Sequence, residues 1–169
     1  MTPFKDLQAL ALDVDGVLSD GRLYYGNNGE ELKTFNIRDG LGIKLLQQAG
    51  ITVAIITGRT SRIVARRAQE LGIEHIIQGR EDKLSALREL CAQLDLTIEH
   101  VAYMGDDLPD RKAIIAAGLG ATVADGSDDV KAVADWCSTK AGGAGAVRDL
   151  AETWLKTVGL WDQLVEQQA

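Results

Sequence analysis

Short apolar runs alternate along the chain with segments of helical periodicity. Runs such as Ala9–Leu12 end abruptly in polar residues, which is typical of strands buried in a parallel sheet. Between the runs, apolar residues recur every three or four positions, and several of these segments close at a glycine such as Gly50 or Gly72. The pattern predicts strands at 9–12, 52–56, 75–77, 101–104 and 121–123, and helices at 41–49, about 64–71, about 84–94 and 109–117.

The alternation of strands with crossover helices predicts an α/β fold, a Rossmann-like parallel sheet with helices on both faces. Two β-rich runs at about 21–37 surround Gly26-Asn27-Asn28-Gly29, which is typical of a β-hairpin inserted after the first strand. A tail at about 141–169 begins with a glycine-rich stretch and continues as a helix. Trp154 and Trp161 in this tail have helical spacing, which indicates packing rather than ligand binding. We expect residues 1–169 to form one domain.

Composition and charge narrow the possible partners. The 169-residue chain is 46% hydrophobic, and its 25 acidic residues exceed its 18 Lys and Arg residues, which gives a net charge of −7. This balance argues against nucleic acid, because binding a polyanion needs clustered cations, but it permits a small phosphorylated ligand that needs only a local positive site.

The apolar runs and the cysteines indicate the cellular compartment. No stretch reaches the roughly 18 apolar residues of a membrane span, and the first apolar run is too short for a signal peptide. Cys91 and Cys137 form no CxxC pair. We therefore expect a reduced protein in the cytoplasm, without a membrane partner.

Polar residues follow the predicted strands at the edge where an open parallel sheet binds its ligands. Asp13 and Asp15 follow the first strand, and Thr57-Gly58-Arg59 follows the second. Asp106-Asp107 follows the fourth, and Lys83 begins the helix after the third. Each motif alone is common in turns and helix caps. Their placement at successive strand ends favours one shared site.

These side chains suit phosphoryl transfer. Carboxylates within a few ångströms of one another repel unless a cation compensates, and Mg²⁺ is a natural choice because it prefers oxygen ligands. One carboxylate can attack phosphorus and form an aspartyl phosphate, while a second protonates the leaving alcohol and later deprotonates water. Thr57 and Lys83 can donate to the equatorial phosphoryl oxygens, where charge spreads in the transition state.

The motifs resemble those of the haloacid dehalogenase superfamily. The resemblance covers about residues 7–150 and rests on Asp13-Val14-Asp15-Gly16-Val17-Leu18, Thr57-Gly58-Arg59, Lys83 and the segment 105–110 with the sequence Gly-Asp-Asp-Leu-Pro-Asp. It implies a phosphatase, since the dehalogenases and ion-pumping ATPases of the superfamily lack an acid two residues after the nucleophile.

The resemblance also implies roles for individual residues. Asp13 would be the nucleophile, Asp15 the general acid and base, and Thr57 and Lys83 the phosphate ligands. Mg²⁺ would be held by the Asp13 side chain, the Asp15 backbone carbonyl and Asp106. By the same resemblance, two further acids would orient the metal-bound waters or the lysine, namely Asp107 and Asp110.

Loop lengths leave little room for the cap domain of larger superfamily members. Gly40 comes 25 positions after Asp15, which is enough only for the hairpin, and Lys83 comes 26 after Thr57, a span already used by one helix and one strand. The site is therefore expected to be open. Either the substrate is a macromolecule, or a neighbouring subunit supplies the lid.

A narrower resemblance favours the second option. The hairpin and the segment 34–40, the pair Arg59 and Arg67, and the glycine tract 142–148 resemble the octulosonate phosphatases of this superfamily. That branch hydrolyses 3-deoxy-D-manno-octulosonate 8-phosphate for lipopolysaccharide synthesis and forms homotetramers in which neighbouring subunits cover each site. The residues that the resemblance implies for binding the sugar acid phosphate are Asp15, Asn36, Ile37, Arg38, Asp39, Gly40, Gly58, Arg59, Arg67 and Lys83.

Several alternatives remain open at this point. Arg66 could replace Arg67 as the carboxylate partner, and the glycine tract could be a connector instead of part of a cover. The substrate could be another acidic sugar phosphate of the sialic-acid 9-phosphate type, or the chain could be a non-catalytic oligomerisation module. A phospho-receiver domain is rejected, because it would need an Asp after the third strand, where this chain has Gln78-Gly79.

Overall fold

A parallel sheet of six strands forms the centre of the computed structural model, which describes residues 4–167. Its strands are β1 (Ala9–Leu12), β4 (Thr52–Ile56), β5 (His75–Ile77), β6 (Val101–Gly105), β7 (Leu119–Thr122) and β8 (Trp136–Cys137), in the order β5-β4-β1-β6-β7-β8. A separate antiparallel hairpin pairs β2 (Tyr24–Tyr25) with β3 (Glu31–Leu32). The predicted α/β fold is confirmed.

Helices cover both faces of this sheet. They are α1 (Ile37–Gln48), α2 (Arg62–Leu71), α3 (Lys83–Gln93), α4 (Arg111–Ala116), α5 (Asp128–Lys131), α6 (Ala146–Thr157) and α7 (Trp161–Glu166), with 3₁₀ turns at Ile98–His100 and Leu108–Asp110. None of the helices in residues 4–167 has the length and apolar character needed to cross a membrane.

Side-chain alternation along β1 separates two hydrophobic layers. Leu10 and Leu12 pack into the layer formed with α1, α2 and α6, whereas Ala9 and Ala11 pack into the layer with α3 and α4. Trp154 of α6 is buried in the first layer, with its ring centroid 5.8 Å from that of Phe4. The interpretation of Trp154 as a packing residue is therefore confirmed.

Several predicted boundaries were wrong. Strand β7 begins at Leu119, two residues before its predicted start. Helix α1 begins at Ile37 instead of position 41, because the Asn36 side chain caps it at the Arg38 amide. The helix predicted at 109–117 is a 3₁₀ turn followed by α4. Strand β8 and helices α5 and α7 were not predicted, since segments of two to six residues carry almost no periodicity.

Candidate active site

The three central strands bring the predicted acids to one edge of the sheet. Asp13 directly follows β1, and its amide donates to the Met104 carbonyl of β6 at 3.0 Å, which extends the ladder by one residue. Asp106 directly follows β6, and Thr57 directly follows β4. A cavity of about 560 Å³ opens at this edge and is lined by Asp13, Asp15, Thr57, Gly58, Arg59, Glu81, Lys83 and Pro109. We call it the rim cavity.

Lys83 lies at the centre of the acid cluster. Its Nζ donates to Asp13 Oδ1 at 2.8 Å, to the Ile56 carbonyl at 3.1 Å and to Asp110 Oδ1 at 3.3 Å, while its side chain is only 3% exposed. Burial lowers the pKa of an ammonium, but the charges of Asp13 and Asp110 outweigh it and raise the pKa of Lys83. The lysine therefore stays charged and holds the Asp13 carboxylate in place.

The carboxylates lie close enough to oppose one another's ionisation. One oxygen each of Asp13, Asp106 and Asp110 lies within 4.8 Å of the others. Burial, followed by the charge of Asp110, raises the pKa of Asp13 to about 7 despite the nearby Lys83. Burial and then the charge of Asp13 raise the pKa of Asp106 to about 8. The cluster thus holds more negative charge than its own lysine neutralises.

Asp110 organises the turn that carries Asp106. Its Oδ2 accepts hydrogen bonds from the Asp106 and Asp107 amides at 3.1 and 3.3 Å, and its Oδ1 accepts one from the Tyr103 hydroxyl at 2.6 Å. Burial raises the pKa of Tyr103 well above its usual value, so the phenol remains a donor. Asp107 instead caps the following 3₁₀ turn at the Leu108 amide. The predicted contact of Asp110 with Lys83 is therefore present, whereas Asp107 has a local capping role.

Gly16 lets the loop after β1 pass directly over Asp106. Its φ is +93°, and a Cβ at this position would overlap the Asp106 carboxylate. A side chain is thus excluded both by backbone conformation and by space. The glycine that ends the Asp-Val-Asp-Gly motif keeps the two acidic loops in contact.

The hairpin reaches back to the rim through residues that sequence reasoning did not single out. Lys33 Nζ lies 2.5 Å from Asp15 Oδ1 and 3.4 Å from Glu31 Oε1. Arg59 donates to the Tyr25 hydroxyl at 3.2 Å, and its guanidinium is 3.8 Å from Glu31. No spacing rule marks Lys33, since it lies 18 positions from Asp15 in a hairpin predicted only from its turn.

Known proteins match most of the chain in sequence. The family of haloacid dehalogenase-like hydrolases matches residues 73–148. The 3-deoxy-D-manno-octulosonate 8-phosphate phosphatase of Salmonella typhi is 47% identical over 163 residues, which covers 96% of this chain and 87% of the relative. The chain belongs to the haloacid dehalogenase-like hydrolases. At this identity and coverage, it also belongs to their 3-deoxy-D-manno-octulosonate 8-phosphate phosphatase family.

Solved structures agree with this family membership. The phosphatase of that name from Moraxella catarrhalis, crystallised with magnesium ion, phosphate ion and KDO, has a TM-score of 0.97 and 48% identity, covering 99% of this chain and 96% of its own. The cobalt-bound phosphatase from Haemophilus influenzae has a TM-score of 0.90 and 41% identity, with coverage of 94% and 92%. The family fold is thus reproduced over almost the whole chain.

The segment 36–40, which the family resemblance implies for sugar binding, lies apart from the rim cavity within one chain. Asn36, Ile37 and Arg38 line a second cavity of about 770 Å³, together with Lys140, Gly145 and Arg148. The structure therefore does not bring them together with Asp13 in the same subunit.

Asp39 lies at the contact between α1 and α6. Its carboxylate is buried and accepts a hydrogen bond from the Arg148 amide at 2.8 Å, at the start of α6. Burial raises the pKa of Asp39, and backbone donors of Arg148, Gly145 and Val147 partly offset that effect. The carboxylate joins α1 to α6, and the expected part of Asp39 in sugar binding stays a prediction.

Arg67 and Arg66 are clearly distinguished by their surroundings. Arg67 is 21% exposed, lies 5.8 Å from the centre of the Phe35 ring and packs over Gly40 at the start of α1. Arg66 is 81% exposed, and both arginines pair with Glu70. Arg67 is thus the arginine adjacent to the segment 36–40, though it does not line the rim cavity.

The glycine tract packs against the loop that follows β1 of its own chain. The Gly143 amide donates to the Val17 carbonyl at 2.9 Å, and a Cβ on Gly142 would overlap the Gly16 carbonyl. The Gly142 amide also donates to Asp125 at 2.8 Å. A free connector would lack these contacts, so the tract is a close-packed junction beside the Asp15-Gly16 turn.

Proposed function

We propose that the chain is a Mg²⁺-dependent phosphomonoesterase that hydrolyses 3-deoxy-D-manno-octulosonate 8-phosphate and releases the free sugar acid for lipopolysaccharide synthesis. The observation that carries the proposal is the buried Asp13 carboxylate, which Lys83 holds at 2.8 Å at the rim cavity, beside Asp106. The names of the similar proteins support the substrate. The unpaired thiols of Cys91 and Cys137 fit the reducing cytoplasm.

The reaction divides into two transfers at phosphorus. Asp13 attacks the phosphorus and forms an O–P bond while the bond to the sugar C8 oxygen breaks, and Asp15 gives that oxygen a proton. Water then attacks the phosphorus of the aspartyl phosphate, Asp15 takes a proton from that water, and the bond between Asp13 and phosphorus breaks to release phosphate. The three N–H donors of Lys83 are used by Asp13, the Ile56 carbonyl and Asp110, so its ammonium would stabilise the phosphoryl oxygens through its positive charge. Thr57, which lines the rim cavity, would supply a hydrogen-bond donor.

The donor set fits a hard divalent cation. Carboxylate oxygens of Asp13 and Asp106 lie within 4.8 Å of each other, and burial, followed by the charges of neighbouring acids, raises their pKa values to about 7 and about 8. Asp13, Asp106 and the Asp15 backbone carbonyl would hold Mg²⁺. Asp110 fits less well, since it already accepts from Lys83, Tyr103 and two amides. Bound Mg²⁺ would supply Lewis-acid stabilisation of the phosphoryl group.

Sugar recognition would use two subunits. Arg59 lines the rim cavity and is 45% exposed, so its guanidinium is available for the bidentate binding of a sugar carboxylate. Arg67 and the segment 36–40 lie outside that cavity, and we propose that they and the glycine tract contribute to a neighbour's site. Gly58 would let the substrate approach the backbone, since the nearest atoms beyond its chain neighbours lie 3.9 Å from a Cβ built there.

A homotetramer would cover the apolar side chains of the hairpin. Leu23, Tyr25 and Leu32 are 47%, 64% and 66% exposed, and Ile37 at the start of α1 is 82% exposed. Four apolar side chains grouped around a two-stranded hairpin suit an interface between copies. Leu32→Lys should shift light-scattering masses from tetramer toward monomer, whereas Leu160→Lys on the tail should not. A wild-type monomer with full activity would contradict the shared site.

The decisive experiment measures phosphate release from 3-deoxy-D-manno-octulosonate 8-phosphate beside a panel of sugar phosphates. We expect the octulosonate to be preferred, chelation to stop turnover, and Asp13→Asn to reduce kcat by about a thousandfold or more. Asp162→Asn, at an exposed position on α7, is the matched control. Preference for a nine-carbon sugar acid phosphate would favour the alternative substrate. No metal-dependent turnover of any ester would favour a non-catalytic oligomerisation module.

A further inference from the structure

The Lys33 ammonium is more deeply buried than its place in a surface hairpin suggests. Its side chain is 1% exposed, and Nζ contacts Asp15 Oδ1 at 2.5 Å and Glu31 Oε1 at 3.4 Å. The Asp15 side chain remains 22% exposed. Burying a lysine is costly unless it is paired and hydrogen-bonded. The hairpin therefore brings this charge inward to meet a particular carboxylate.

We infer that Lys33 is a positioning residue for Asp15. The inference rests on the proposed function, in which Asp15 exchanges a proton with the leaving oxygen and then with water. Proton transfer needs the carboxyl group within hydrogen-bond distance of the reacting oxygen. By holding Oδ1, Lys33 fixes the rotation of the Asp15 side chain at the rim cavity, which Asp15 lines, and leaves Oδ2 as the oxygen for proton transfer.

The surroundings of Lys33 distinguish it from an ordinary surface ion pair. Exposed pairs contribute little because water screens both charges and the side chains lose freedom. Here the lysine is buried, its partner is 18 residues away, and Glu31 joins it to Arg59 across the hairpin. Asp15, Lys33, Glu31 and Arg59 thus form a chain of alternating charge between the hairpin and the rim. Loss of Lys33 would free Asp15 without removing its carboxylate.

Leaving-group dependence tests this role, because a misplaced acid matters most when the leaving oxygen needs a proton. Phenyl and p-nitrophenyl phosphate are similar in shape. Phenolate is a strong base whose acid has a pKa of about 10, as for tyrosine, whereas p-nitrophenolate leaves with far less help. In Lys33→Met, kcat/KM should fall about tenfold or more further for phenyl phosphate than for p-nitrophenyl phosphate. Lys5→Met, at an exposed lysine, should change neither value.

The outcomes distinguish the positioning role of Lys33 from the proposed function. If the wild-type enzyme is active and folded Lys33→Met loses kcat/KM equally on both esters, the positioning role is overturned and the proposed function stays intact. Wild-type enzyme inactive on both esters and on the octulosonate phosphate would overturn both. Thermal unfolding and circular dichroism establish that the variant is folded. If Lys33→Met does not fold, the shorter neutral Lys33→Gln is measured against the same criterion.

Discussion

Crowded carboxylates at the sheet edge should make the metal-free protein lose stability as the pH rises. The pKa values of Asp13 and Asp106 are about 7 and about 8 in the folded chain, against an ordinary value of 3.8. Between pH 3.8 and these folded-state pKa values, the folded state binds more protons than the unfolded state. The stabilising contribution of these protons is complete below about pH 4, and it is lost as the pH rises through 7 and 8.

The size of the effect follows from the two pKa values. From about pH 5.5 to 8.5, linkage gives a loss of about 2 kcal/mol in the free energy of unfolding for Asp13 and about 3 kcal/mol for Asp106. Each pKa already includes the charge of the other carboxylate, so the losses overlap and we expect about 3 kcal/mol in total. For a chain of this length, that corresponds to a fall in Tm of about 6–12 °C.

Thermal unfolding in a chelator at both pH values measures this loss directly. Adding Mg²⁺ at the higher pH should restore most of the Tm, because the ion neutralises both carboxylates. Asp106→Asn should show a much flatter pH dependence, since it removes one carboxylate and lowers the repulsion on the other. Asp162→Asn should behave as wild type. A metal-free Tm that stays constant or rises over this interval would refute the reasoning.

Four other substitutions probe the supports of the site. Lys83→Met should destabilise the fold by about 3 kcal/mol near pH 8 in urea unfolding, because it removes the positive charge that pairs with two buried carboxylates; an unchanged midpoint would contradict this. Gly16→Ala should weaken Mg²⁺ binding measured by calorimetry, since its Cβ would displace Asp106, and undiminished affinity would argue against that contact. Asp39→Ala should lower stability by about 1–2 kcal/mol through the lost bond to α6, whereas Asp125→Ala tests the separate Gly142 junction.

The sequence was most informative where the fold repeats a simple rule. Each central strand is a short apolar run followed at once by polar residues, and parallel strands all present their carboxyl ends at one edge. Asp13, Thr57 and Asp106 could therefore be assigned to one site before any distance was known. Lys83 could be added because it begins a helix that starts at the same edge.

Prediction failed for side chains whose contact partners are not marked by any motif in the sequence. Lys33 comes from a hairpin whose strands are only two residues long, and Tyr103 belongs to an apolar run in which every residue is buried. Neither has a motif, because their partners are selected by folding and not by spacing. The bond of Asp39 to the backbone of α6 could not be predicted either, since its acceptor and donor lie 109 positions apart in the sequence.

The charges around the nucleophile explain why a divalent ion suits this site better than another lysine. Asp13, Asp106 and Asp110 are three acids within 4.8 Å, and Lys83 contacts two of them. If all three ionise, one ammonium leaves a charge of −2, which one divalent cation cancels. The fourth acid, Asp15, has its own lysine in Lys33 and adds nothing to this excess. A second ammonium in the cluster would leave it at −1 and would occupy the space that phosphate oxygens need, whereas a hard cation can bind those oxygens as ligands.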